Sequence, residues 1–551
     1  MTVMFERGRH AGAKAWHVGV VGLRRNQTLI GAFGLAGLVV VCGAWLFHEG
    51  RNLTFYLDEW YFPLYRLNPF TADSLLAPHN GHIAVVPALI YEGLLRAFGM
   101  TQYTPFRSLV LVMHLGIGVL VYLFARKRIG PIAALAPTAV ILLLGKGAED
   151  FLFAFQINFL GSVLTGLACL LLIDHRSLLA RLAIVALLTL SVGFSEVGLA
   201  FLLAVAVALA VERRWRDGWM VAIPGVLYVL WYLRYGRGQS DLTFTNFIHA
   251  PQWMAEDMAG SAGAAVGLSQ DWGRILLLLL AYFVVRSVVR GGGSGTIWSL
   301  LAGAGLFWLL LGLTRSAGGS PYTSRFLYIG ALFIILIGVE LAGEHIRFGS
   351  VGLAVLGLAT VAIVASNLVD FYSLRDFFDS QAAYTRTDLG ALEIARTHVQ
   401  PTYVFSDPSH GLPNVLASAY FSAVARYGSS AYTPAEIATA PLALRVAADQ
   451  VLERLEPIVV SPVESVASAC RPAAADRSVE SDIGAGGVIV APTSQPVRVS
   501  ARRFAGSGSI SIGRLNPGRR YRITAQRDES TTPWKLLTTS ASTYSLCTAS
   551  K

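Results

Sequence analysis

Charge is scarce in this 551-residue chain: Asp, Glu, Lys and Arg together make up 14% of it. A soluble globular protein carries about a quarter. That shortage excludes a water-soluble fold for most of the length, and 54% of the residues are apolar instead. Cysteine is nearly absent, with four residues. Cys42 and Cys169 fall inside apolar runs and read as small, inert core residues. Cys470 and Cys547 lie in a polar C-terminal part and are expected to form one disulfide that ties the last strand back. The basic excess of +10 comes without a basic patch interleaved with aromatics. Nucleic acid is therefore not the expected partner, and the excess reads as the Lys and Arg that hold loops on the cytoplasmic face of a membrane.

Long apolar runs are missing after about residue 367. Before it they recur, as in LIGAFGLAGLVVVCGAWLF (29–47) and IWSLLAGAGLFWLLLGL (297–313), close to the roughly 20 residues that cross a bilayer. No small-residue cleavage site follows the first run, which reads as a retained span. Arg7, Arg9, Lys14, Arg24 and Arg25 place the N-terminal segment in the cytoplasm. IAVVPALIYEGLLRAFGM (83–100), with Glu92 and Arg96 one helical turn apart, reads as an amphipathic helix on the outer surface. The basic loops at 125–130, 174–181, 212–218, 286–293 and 344–349 then all fall inside. The turns at 146–150, 194–196, 235–273 and 314–324 fall outside. The count is about eleven spans. The expected division is a cytoplasmic segment 1–28, a transmembrane domain 29–367 with an outer loop 48–103, an extracytoplasmic mainly helical region 368–455 and a β-sandwich-like region 456–551.

Carboxylates gather on the outer side: Asp58, Glu59, Asp73, Glu149, Asp150, Glu196, Asp241, Glu256, Asp257 and Asp271. The positive-inside rule leaves acids free to go either way, so their collection on one face points to an outward-facing site. Asp58 next to Glu59 suits a general base with an orienting partner, or an N-cap for the helix that follows. His79 and His82 suit a phosphate or metal contact, or interfacial histidines bonded to backbone. Glu149 and Asp150 occupy a short outer turn, where a helix dipole would also favour them. Glu196 lies between two short spans and demands a polar surrounding. Arg315 and Arg325 lie outside against the general bias, among Gly and Ser, as a phosphate would require or as lipid-headgroup anchors would.

From 457 onward short β-prone pieces alternate with Gly, Pro and Asn turns: PIVVS, GVIVAP, PVRVSARRF, GSISIG, RYRITAQ, WKLLTTS and YSLCTA. They read as a β-sandwich, which either binds carbohydrate, with Trp534 as the stacking platform, or, more often in such a setting, braces the membrane part.

The strings LDEWYFPL, LLAPHNGHIAVVPALIY, GAEDFLFAFQINFLGS and SRFLYIGA resemble a group of actinobacterial polytopic membrane proteins. The general build resembles the GT-C superfamily of membrane glycosyltransferases. That resemblance implies a GT-C-like helical bundle with a C-terminal extracytoplasmic α+β domain, in the plasma membrane. It implies transfer of a sugar from a polyprenyl-phosphate-linked donor to an envelope glycan, lipid or protein. Asp58 takes the place of the catalytic base with Glu59 beside it. Glu149 and Asp150 correspond to a second acidic element. Asp58, Glu149 and Asp150 are the ligands if a divalent cation, Mg or Mn, takes part. His79, His82, Glu149, Asp150, Glu196, Arg315 and Arg325 are the residues expected to bind substrate. A transporter or flippase of lipid-linked sugars, or a non-catalytic envelope scaffold, would share the apolar composition. A transporter should show paired internal repeats and ionisable groups at the midplane, and neither is evident in the sequence.

Overall fold

The protein is described by a computed structural model covering residues 2–66, 70–237, 242–291, 293–346, 348–464 and 470–548, with side chains from residue 26. The N-terminal basic side chains and Asp241 lie outside the described residues. The chain forms two compact units. The first holds residues 1–51, 66–97 and 104–378; the second holds 52–65, 98–103 and 379–551. Residues 48–103 are divided between the two, and the acidic pair Asp58 and Glu59 belongs to the second.

The first unit is helical. Seven helices among the described residues are long and apolar enough to cross a bilayer: Asn26–Glu49, Thr104–Ile129, Ala154–Leu172, Gln270–Gly291, Gly295–Arg315, Ser324–His345 and Ser350–Ile394. Leu178–Phe194 and Val197–Val211 are apolar but shorter. Ser324–His345 is the central one, with Leu332, Phe333, Leu336 and Tyr328 fully buried. Apolar side chains gain nothing by leaving lipid, so such helices associate through close packing and polar contacts. Both are present. Gly330 lies against Ser261, and Gly303 against Ala204. The Ser162 and Ser191 hydroxyls each donate to the other's carbonyl at 2.8 Å.

The segment expected as an outer turn at 235–273 contains a 22-residue helix, Phe244–Ala265. Its end is a buried run of Ala259, Gly260, Ser261, Ala262, Gly263, Ala264 and Ala265. Those small residues depress its hydropathy, which hid the helix. They also let it approach its neighbours closely: a Cβ on Gly273 would meet the Ala259 carbonyl. Ser350–Ile394 continues without a break for 45 residues, through residue 367, where the long apolar runs stop, into the region read as mainly helical. Its first glycine beyond 367 is Gly390 and it holds no proline there, so nothing in the chain stops it.

The second unit contains a hairpin, Val404–Asp407 with Leu412–Leu416, and the helices Ala417–Tyr427, Pro434–Thr439 and Leu442–Leu455. Two antiparallel sheets follow. One has five strands in the order Val459–Val463, Arg520–Thr524, Val488–Pro492, Tyr544–Thr548, Cys470–Ala473. The other has four: Val479–Asp482, Lys535–Thr539, Val497–Arg502, Ile510–Leu515. All seven β-prone pieces are strands. Cys470 pairs directly with Cys547 across two neighbouring strands, and the disulfide joins them. Trp534 is buried and has the Arg503 guanidinium over its ring. It is a core residue, not a sugar platform.

Candidate functional site

The string His79-Asn80-Gly81-His82 folds as a two-residue hairpin. Asn80 and Gly81 both have positive φ, 49° and 82°, as a type I′ turn demands and as Asn-Gly favours. The two histidines exchange backbone bonds at 2.8 and 2.9 Å. Their spacing is therefore a turn, and Asn-Gly was the signal for it. The rings have different fates. His79 is buried with its centroid 4.9 Å from Phe155. Burial first, then the charges of Arg66 and His82, lowers its pKa to about 3. His82 stays partly exposed.

His82 joins two of the other expected residues. Its Nδ1 lies 2.9 Å from Glu196 Oε2, and its Nε2 accepts from Arg315 Nη2 at 2.6 Å. A guanidinium only donates, so the lone pair is on Nε2 and the proton on Nδ1, donated to Glu196. Tyr228 donates to the other Glu196 oxygen at 3.3 Å. The polar surrounding that Glu196 needs is thus His82 and Tyr228.

Glu149 and Arg325 form a second group. Arg325 Nη1 donates to Glu149 Oε1 at 3.2 Å, as does Gln156 Nε2 at 3.2 Å. The Glu149 N–H donates to the Ser324 hydroxyl at 3.2 Å. Burial raises the Glu149 pKa, with Arg325 opposing. Asp150 is fully buried, and neither of its carboxyl oxygens has a hydrogen-bond partner among the described residues. Burial, reinforced by the neighbouring Glu149, pushes its pKa well above the carboxylate range. Two adjacent buried carboxyls resist double ionisation.

The two groups share a cavity of about 430 Å³ lined by Arg315, Arg325, Thr243, Asn246, Thr323 and Phe326, together with Gly318 and Gly319. Arg315 ends the helix Gly295–Arg315, and Arg325 is the second residue of Ser324–His345. Asn246 shapes the turn that separates them. Its side-chain oxygen accepts from Ala317 N–H at 2.5 Å, and its carbonyl accepts from the Ser316 hydroxyl at 2.7 Å. Asn246 and Thr243 escaped sequence reading because the helix that carries Asn246 read as a loop. Arg325 is 36% exposed. Among the described residues its side chain hydrogen-bonds only to Glu149.

Asp58 and Glu59 belong to the second unit and differ from each other. Glu59 is buried and accepts from the Tyr56 N–H at 3.1 Å and the Tyr103 hydroxyl at 2.9 Å. Asp58 is half-buried, within the short helix Leu57–Trp60. Leu57, just before it, has φ 40°, a costly conformation for a branched residue. Its N–H donates to the Gly411 carbonyl at 2.8 Å, and Arg386 donates to the Leu53 carbonyl at 3.2 Å. The acidic corner is thereby fastened to its own unit.

No protein-family model matches the chain, and no curated protein matches it. Among solved structures it is similar to ArnT from Cupriavidus metallidurans, crystallised bound to undecaprenyl phosphate. Identity is 15%, over 72% of this chain and 89% of that one, with a TM-score of 0.47. A likeness at that level leaves function to the residues of the site.

Proposed function

We propose that the protein is an integral membrane glycosyltransferase that moves a sugar from a polyprenyl-phosphate carrier to an acceptor of the cell envelope, on the extracytoplasmic side. The observation that carries the reading is the pair of arginines on one cavity in a unit built of apolar helices. Guanidinium groups bind phosphate bidentately, and apolar helices suit a prenyl tail. Thr243, Thr323 and the glycine turn add small polar contacts. The Glu196–His82 pair holds Arg315, and Glu149 holds Arg325, so both cations are oriented before a ligand arrives.

In this reading the acceptor hydroxyl attacks the anomeric carbon. The bond from that carbon to the phosphate oxygen breaks, and its electron pair goes to the phosphate, whose charge Arg315 and Arg325 stabilise. Asp58 takes the acceptor proton, an effect worth about 10²–10⁴-fold. Glu59 orients the corner through Tyr56 and Tyr103. Attack opposite the leaving phosphate inverts the anomeric centre. The acceptor is an envelope glycan, lipid or protein.

The test compares envelope glycans from cells carrying wild type, Asp58→Asn and Arg325→Gln, with binding of polyprenyl phosphate to the purified proteins followed by native mass spectrometry. The expected result is a missing glycan in both variants, with binding kept in Asp58→Asn and weakened in Arg325→Gln. Unchanged glycans in a folded Asp58→Asn protein would overturn the catalytic assignment. A transporter would keep the sugar linkage and lose only its delivery across the membrane.

A further inference from the structure

We propose that the second unit contains a divalent-cation site made by Asp388, Asp407 and His410, apart from the carboxylates considered for catalysis. One donor atom from each of the three lies within 4.8 Å of the others. Donors sharing a Zn²⁺ or Mn²⁺ ion at roughly 2.0–2.2 Å lie within roughly 4.4 Å of each other, so a small inward movement closes the set. Two carboxylates with an imidazole suit a transition cation of this kind better than Ca²⁺, which takes oxygen ligands.

A second observation points to a ligand. Asp388 is only 1% exposed, and its Oδ2 has no hydrogen-bond partner among the described residues. A buried carboxylate oxygen left so is costly, and the charge of the nearby Asp407 carboxylate adds to the cost. The nearby charge of Arg454 draws on both acids, but less than burial and the mutual repulsion act on Asp388. A cation would satisfy the orphaned oxygen and remove the repulsion.

The surroundings are those of an oriented ligand set. His410 Nδ1 lies 2.9 Å from Asp407 Oδ2, and its ring stacks on Tyr384 at 4.0 Å between centroids. The Thr385 hydroxyl donates to the His410 carbonyl at 2.6 Å, and the Ser409 hydroxyl donates to Asp407. The contacts from Tyr384, Thr385 and Ser409 come from outside the three proposed ligands and fix ring and carboxylate orientation around a metal.

The site has a use. Gly411 follows His410, and its carbonyl takes the N–H of Leu57, the residue before Asp58. An ion on 388, 407 and 410 would hold the hairpin turn that pins the acidic corner. That consequence rests on the function proposed above, whereas the ion site does not.

The experiment uses full-length protein in detergent, purified through a tag without histidine, stripped with EDTA and titrated separately with Zn²⁺ and Mn²⁺ by calorimetry. Metal content after desalting is read by mass spectrometry. One ion per chain is expected with one of the two metals, with a rise in Tm. Asp388→Asn and His410→Gln should each weaken uptake at least tenfold. His410 is partly exposed, so His410→Gln remains informative if Asp388→Asn fails to fold. No uptake by stripped wild type, or equal uptake by His410→Gln, would overturn the proposal and leave a proton shared by the two acids as the explanation. Metal uptake with unchanged glycans in Asp58→Asn would instead overturn the transferase reading and keep the ion site.

Discussion

Two arginines, one in each unit, show what separates a structural cation from a working one. Arg503 in the β-rich unit is 4% exposed. Its Nη1 and Nη2 grip Asp528 in a fork, Nε donates to the Thr532 carbonyl at 2.8 Å, and Nη2 reaches the Ser530 carbonyl at 3.3 Å. Its guanidinium also lies over Trp534. Four of its five N–H donors are taken, and its burial leaves no open face for a ligand. Arg325 in the helical unit donates its side chain only to Glu149 and borders a cavity. Exposure alone does not separate them, since surface arginines are common. The difference is a partner that orients without saturating, beside a space of ligand size.

That comparison can be broken. Replacing Arg503 by Ala should cost about 3–5 kcal/mol, because Asp528 would remain buried and unpaired, and should leave lipid-phosphate binding intact. Chemical unfolding and the native mass-spectrometric assay check both halves. Within the same unit, Cys470→Ser should cost about 2–4 kcal/mol, read as a Tm fall that reducing agent reproduces in wild type. Arg325→Gln should do the reverse of Arg503→Ala. Transfer should fall about 100-fold, or about 2.7 kcal/mol, with Tm nearly unchanged. If Arg325→Gln unfolds the protein while Arg503→Ala only slows it, the distinction is false.

The smallest effect concerns acid. His79 has a folded pKa of about 3 against an ordinary value of 6.5, so the folded state binds fewer protons than the unfolded one between those limits. Its contribution to stability is therefore present above pH 6.5 and is lost as pH falls toward 3. Between pH 7 and pH 5 the loss should be about 2 kcal/mol. His79→Phe should flatten that part of the profile in thermal unfolding.

Much of the architecture was legible because the physics is local and periodic. Apolar length marked the helices Thr104–Ile129, Gly295–Arg315 and Ser324–His345. Alternation marked all seven C-terminal β pieces, and two polar-side cysteines marked the disulfide. The polar strands Cys470–Ala473 and Val479–Asp482 were missed because neither carries an apolar face. Phe244–Ala265 was missed because close helix packing selects small residues that look like loop. At the site, the residue types of His82, Glu149, Glu196, Arg315 and Arg325 flagged them separately. Their pairing was invisible, since Arg315 meets His82 across 233 positions and Arg325 meets Glu149 across 176. The Asp388, Asp407 and His410 cluster gave no signal either, because a helix and a hairpin turn bring it together.

The hairpin at Asn80 and Gly81 carries a chemical liability as well as a shape. Asparagine followed by glycine cyclises readily to a succinimide and reopens to isoaspartate. Asn80 is exposed. Each such event would lengthen the backbone by a methylene and add a negative charge beside His82. The corner that fixes the reach of His82 toward Arg315 is thus also a place where the protein would age.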